Sequence, residues 1–240
     1  MADLIFYDKL ISIDSKLHIN LRIKQVDNFM FASKTNSVPI VGVEFIEVAR
    51  EYPIVFVKGT DNAFLPVALL GLRENENLYV GNDGKWNSRY IPAFVRRYPF
   101  VPAEVDNGQI IVCFDEASEF ISQNEGEHLF DGDQPGKQLS QTIALLQDYQ
   151  SQAMRTQKFC ERLIENDLLV ESNAQAELTD GSTFRLSSMF VIDEKRLQDL
   201  DKDKVHALFS SGELGLIYAH LMSLGNLQGL LKYLGLRMAT

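Results

Sequence analysis

Clustered metal ligands and nucleophile signatures are missing from this chain. Two cysteines and four histidines are spread over 240 residues, so no cysteine-based zinc site is written in it. None of His18, His128, His206 or His220 has a carboxylate two residues on, which removes the usual linear form of a two-histidine, one-carboxylate iron centre. A GxGxxG fingerprint, a GxSxG elbow and an HExxH pair are absent, and Gly132 to Lys137 (GDQPGK) has neither the spacing nor the Ser or Thr of a P-loop. Asp131-Gly132-Asp133 lacks the alternating carboxylates and closing glutamate of a calcium loop. No metal and no cofactor are therefore expected. Catalytic groups gathered from distant positions leave no local trace, so an enzyme stays open, but a binding role is the favoured expectation.

Excess positive charge is lacking too. Thirty-three acids against 23 lysines and arginines give a formal net charge of -10. A sequence-independent nucleic-acid binder needs a basic face to displace counterions from phosphates, so no nucleic-acid partner is expected. The near-continuous apolar stretch from Leu214 to Leu234 carries His220, Asn226, Gln228 and Lys232. These would be costly in lipid, and the stretch reads as a core helix rather than a membrane span. The opening MADLIFYDKLISID has no basic leader region and its apolar run is cut by Asp8 and Lys9, so a cytoplasmic setting is expected. Cys113 and Cys160 lie far apart among apolar neighbours, as buried free thiols do.

What the chain does hold is enough apolar matter for a sizeable core: 45% of residues are hydrophobic and 10% aromatic. Its patterning predicts an α+β fold, with a β-rich first half built on a mixed sheet, then long helices with one inserted β-hairpin. The boundaries fall at 1–114 for the β-rich lobe, 115–137 for an exposed acidic connection and 138–240 for the helical lobe, the whole forming one compact domain. Strands are expected at Leu17 to Arg22, Phe29 to Phe31, Ile54 to Val57, Val67 to Leu70, Asn77 to Val80 and Gln109 to Phe114, the last within a central sheet. Gly42 to Arg50 reads as a short helix. Leu139, Thr142, Leu146, Tyr149, Ala153, Thr156, Cys160 and Leu163 recur at steps of three and four, predicting a long helix from Gln138 to Leu169. Ala174 to Leu178 and Phe184 to Leu186 alternate about Asp180-Gly181, a hairpin. Asp193 to Asp199 and Lys204 to Ser211 read as helices, and a last helix starts near Glu213. In that helix Gly225 and Gly229 leave a notch for close packing by another element or a second subunit, so a homo-oligomer is one expectation.

The candidate site lies in PVALLGLRENENLYVGNDGKWNSRYIPAFVRRYPF, Pro66 to Phe100. Asn82-Asp83-Gly84 predicts a tight turn, and a helix is expected from Arg89 to just before Pro99. Trp86, Tyr90 and Phe94, four apart, then share a face. Arg73, Lys85, Arg89, Arg96 and Arg97 make this region basic within an acidic chain. Together Arg73, Trp86, Arg89, Tyr90, Arg96 and Arg97 are candidate ligand-binding residues: arginines to clamp an anionic small molecule or peptide terminus, and rings to stack on the rest of it. The alternative is ordinary core packing by the rings, with arginines snorkelling to solvent.

Four segments carry a family resemblance. NSVPIVGVEFIEVAREYPIVF (Asn36 to Phe56), ALLGLRENENLYVGNDGKWNSRYIPAFVRRYPF (Ala68 to Phe100), LTDGSTFRL (Leu178 to Leu186) and SGELGLIYAHLMSLGNLQGLL (Ser211 to Leu231) together resemble the bacterial SapC family over nearly the whole chain. That resemblance implies a link to surface-layer or TonB-receptor-associated systems, and genetic company with tryptophan-halogenase-like and cupin-like oxygenase proteins. A soluble accessory or binding protein, or an enzyme or enzyme partner in peptide or tryptophan modification, would fit such company. No catalytic residues come with it.

Overall fold

A computed structural model describes residues 5–59, 62–104, 110–177 and 183–238. In chain order the first half forms β1 (Leu10–Ser12), β2 (Arg22–Ile23), β3 (Ser37–Pro39), α1 (Phe45–Val48), β4 (Ile54–Lys58), β5 (Phe64–Leu69), α2 (Ala93–Arg96), β6 (Phe100–Glu104) and β7 (Ile110–Asp115). Four two-residue strands follow: β8 (Ile121–Ser122), β9 (Glu127–His128), β10 (Phe130–Asp131) and β11 (Gln134–Pro135). The second half holds α3 (Lys137–Glu165), β12 (Leu169–Glu177), β13 (Thr183–Ile192), α4 (Glu194–Gln198), α5 (Lys202–Ser210), α6 (Glu213–Ser223) and α7 (Leu227–Met238). The fold is α+β.

Strands β12, β13, β4, β5 and β3 lie side by side in one sheet, and β1, β7 and β6 in a second. Every pairing between described strands is antiparallel, so the expected mixed sheet does not form. The connections within β4–β5 and β12–β13 are too short for the crossover that a parallel pair needs. Strand β7, expected in the central sheet, pairs with β1 and β6 instead. The predicted C-terminal hairpin is present, with Ala174 opposite Leu186 and Ala176 opposite Phe184; its expected turn at Asp180-Gly181 lies outside the described residues. Phe190 of β13 pairs with Phe56 of β4, so strands from both halves of the sequence share one sheet.

Helix α3 behaves as its periodicity dictates. Leu139, Leu146, Thr156, Cys160 and Leu163 are buried, and the helix packs across β5 and β6 and on a 3-10 turn at Gly42–Glu44. It thereby bridges the two sheets. Cys113 and Cys160 are buried and free.

Several short elements differ from expectation. Of Leu17 to Arg22 only the end becomes strand, in β2, and Met30–Ala32 is a 3-10 turn rather than strand. Asn77 to Val80 contributes a single bridge, Val80 to Trp86, across a reversal in which Gly84 takes φ +76°; glycine adopts that value without steric penalty. The acidic segment is more than a connection: β8 and β9 flank β2, and Phe120, Leu129 and Phe130 are buried beneath its exposed acids. The last helix is broken into α6 and α7 by a 3-10 turn at Leu224–Asn226. There Gly225 weakens the helix, and the Asn226 amide donates to the Ala49 and Tyr52 carbonyls at 2.8 and 3.2 Å, tying the break to the chain just after α1. No helix among the described residues is long and apolar enough to cross a membrane.

Buried in α6, His220 accepts the Ile192 N–H on Nε2 at 3.0 Å and lies 5.1 Å from the Phe56 ring. Burial pulls its pKa from 6.5 to about 4, with the Ile54 backbone opposing. The unfolded chain therefore takes up this proton at a higher pH than the folded one. Stability is intact above about pH 6.5 and drains as pH falls toward about 4, with an expected loss of about 2 kcal/mol at pH 5. Urea titrations of wild type and His220→Gln across this range check it: the difference between the two profiles should open below pH 6.5. Parallel profiles would show that the ring is not held neutral.

Candidate functional site

Among the described residues, Arg97 is the arginine that the fold buries, at 5% exposure. Pro92 is extended at φ -53° and ψ 142°, and α2 begins after it with Ala93, Phe94 and Val95 all buried. Arg97 follows Phe94 by three residues, so one helical turn stacks its guanidinium on that ring, 3.8 Å from the centroid. On another side stands Tyr149 of α3, its ring centroid 5.6 Å from the guanidinium carbon. Arg97 Nε and Nη2 are sealed from solvent and have no hydrogen-bond partner.

The buried acids nearby are already committed. Glu44 Oε1 accepts the Ala93 N–H and the Tyr90 O–H, each at 2.7 Å, and Oε2 accepts the Val41 N–H at 3.1 Å. Asp115 accepts the Lys9 and Ala117 N–H groups on Oδ1 at 2.9 and 3.2 Å, and the Asp8 N–H and Tyr98 O–H on Oδ2 at 3.2 and 3.1 Å. The tyrosines cannot replace them as counter-charges. Burial pushes Tyr7 up to about 12, the Arg97 guanidinium opposing; Tyr149 is likewise raised by burial, again against Arg97. Both rings stay neutral at any working pH. A guanidinium keeps its charge in proteins, so Arg97 is a buried cation in an aromatic cage, without an anion among the described residues.

Arg97 also lines a hollow of about 180 Å³, with Lys24, Gln25, Arg96, Tyr98, Gln138 and Thr142 as the other polar residues of its lining. Among the described residues no acid lines it, although the chain carries 33 acids against 23 bases. With liquid water occupying about 30 Å³ per molecule, the space suits one carboxylate or phosphate group and a few waters. Lys24, Arg96 and Arg97 all belong to its lining, and basic side chains favour such a group through charge-assisted hydrogen bonds.

A protein-family model described as SapC matches residues 13–230. The chain belongs to the SapC family. No curated protein and no solved structure matches it.

In this SapC chain the six residues expected to form one pocket are dispersed. Trp86 is a core residue: its indole N–H donates to the Tyr52 hydroxyl at 2.8 Å, Tyr79 stacks on it, and Phe29 meets it edge-on. Arg73 is exposed and pairs with Glu76 at 3.6 Å. Arg89 is exposed, while its backbone N–H is held by the Glu51 carboxylate at 3.1 Å. Arg96 is exposed but oriented, with Nε on the Ile91 carbonyl at 2.9 Å and its guanidinium 5.6 Å from the Tyr90 ring. Tyr90 is half-buried and spends its hydroxyl on Glu44. The structure thus brings Tyr90, Arg96 and Arg97 into one neighbourhood and leaves Arg73, Trp86 and Arg89 outside it.

The reason lies in the expected helix. The Arg89 and Tyr90 amides are taken by Glu51, and a residue preceding proline avoids helical geometry, so Ile91-Pro92 delays the helix to Ala93. The aromatic stripe never forms. Lys24, Glu44 and Tyr149 were not among the expected site residues. Glu44 had a signal, a carboxylate set inside the apolar run VGVEFIEV, and Tyr149 was a member of the α3 seam; Lys24 had none.

The SapC glycine notch is open. A Cβ added at Gly225 or Gly229 would meet nothing within 4 Å, so no element of the described chain packs into it. Both glycines line a separate recess of about 420 Å³ with Glu51, Ser88, Lys232 and Tyr233.

Proposed function

We propose that this SapC protein binds a small anionic group, a carboxylate or phosphate, in the hollow formed by Lys24, Arg96 and Arg97. The observation that carries the reading is Arg97 itself. An unpaired buried charge costs several kcal/mol, and a fold with 33 acids has committed the neighbouring ones to other donors. Lys24 and Arg96 at the same hollow add attraction, and the closed aromatic surroundings weaken screening. Tyr90 acts as a positioning residue, setting Arg96 over its ring while Glu44 holds its hydroxyl.

The reading is tested by thermal melts and calorimetry with sodium acetate or inorganic phosphate, at constant ionic strength. Saturable stabilisation is expected, rising as RT ln(1 + [L]/Kd). Arg97→Gln should abolish it and Lys24→Gln should weaken it roughly tenfold, each variant keeping a cooperative melt. Equal response of wild type and Arg97→Gln would overturn the assignment.

A further inference from the structure

Tyr149 stands beside a cation and lines a cavity. The Arg97 guanidinium lies 5.6 Å from its ring centroid, and the ring also lines a chamber of about 370 Å³ between α3 and the start of β5. That chamber is lined chiefly by apolar side chains, among them Ile40, Val41, Phe64, Pro66, Ala153 and Met154. Its volume falls in the range of roughly 300–1,000 Å³ typical of small-molecule pockets. Short anions need no such room. An unpaired buried cation and an apolar chamber separated by one aromatic ring match a molecule with an acid at one end and hydrocarbon at the other.

We infer that the anion held at Arg97 is the head of an amphipathic carboxylic acid, whose apolar tail passes Tyr149 into the chamber beside Ala153 and Met154. This rests on the anion reading above and adds the class of ligand. Tyr149 is the partition: its ring stands beside the Arg97 guanidinium and lines the chamber, so a rotation about its side-chain bonds opens one to the other. Glu44, whose charge is felt at Tyr149, has its carboxylate held by three donors.

The test is a chain-length series, acetate, butyrate, hexanoate, octanoate and decanoate, titrated calorimetrically into the whole protein below the micelle concentration. Affinity is expected to rise roughly fourfold per added methylene until the chamber is full. Ala153→Phe, which wedges the chamber, should flatten this series while leaving acetate binding intact; Ala153→Leu, a smaller wedge, serves if phenylalanine is not accommodated. Arg97→Gln should lose acetate and decanoate alike. Acetate binding with no gain along the series would overturn the amphipathic assignment and leave the anion reading standing. Decanol binding as tightly as decanoate, unaffected by Arg97→Gln, would overturn the acid-headed assignment, and failure of every acid to bind would overturn both readings.

Discussion

Glu44→Ala is expected to lower the unfolding free energy by about 3–5 kcal/mol, the largest single-residue effect outside the hydrocarbon core. Its carboxylate closes three donors at once: the Val41 N–H at its own turn, and the Ala93 N–H and Tyr90 O–H at the start of α2. A buried donor left unpaired costs about 1–3 kcal/mol. Tyr90 is half-buried and can turn to water, so two amides carry most of the loss. For a chain of this size the melting temperature should fall by roughly 10 °C. Glu44→Gln keeps one acceptor oxygen but turns an amide N–H toward a donor, so about half the loss is expected. Guanidinium melts of the two variants decide it. A Glu44→Ala loss below about 1 kcal/mol would mean that solvent already serves these donors, and that Glu44 does not fix the start of α2.

Arg97→Met is expected to move in the opposite direction and stabilise the ligand-free protein by about 1–3 kcal/mol. Methionine fills the same slot against Phe94 and Tyr149 and makes its own sulfur–aromatic contact. The substitution forfeits a cation–π interaction worth about 2 kcal/mol when desolvated. It also removes the burial of an unpaired charge, a penalty of several kcal/mol, and the second quantity wins. The gain should come with complete loss of stabilisation by acetate or phosphate, the pattern of a residue kept for function at the expense of stability. Melts with and without anion provide both readouts. If Arg97→Met instead loses more than about 2 kcal/mol without ligand, the guanidinium serves the fold, and the anion site falls with it.

The six expected site residues divide according to how far their roles depend on distant partners. Trp86, Tyr90 and Phe94, four apart in the chain, share a face only if a helix runs through all three. Glu51, 38 and 39 positions away from the amides it takes, and Pro92 together prevent that helix. Arg96 and Arg97 are adjacent and chemically identical, yet one is exposed and the other buried, because one helical turn puts only Arg97 over Phe94. Nothing in the local sequence distinguishes them without knowing where α2 begins.

By itself the sequence determined the elements whose signals are local: α3 from its seam of apolar residues, β4 from a bulky β-branched run, the β12–β13 hairpin from its alternation, the SapC membership from four quoted segments. The three structural elements depend on neighbours three, four or two positions apart, whose spacing is written in the chain. Only the tertiary structure decided that Glu44 and Asp115 spend their charges on amide and hydroxyl donors, that Tyr149 arrives from α3 beside Arg97, and that one arginine is left buried without an anion among the described residues. Those are matters of charge pairing in three dimensions, and the partners that settle them lie up to 107 positions apart.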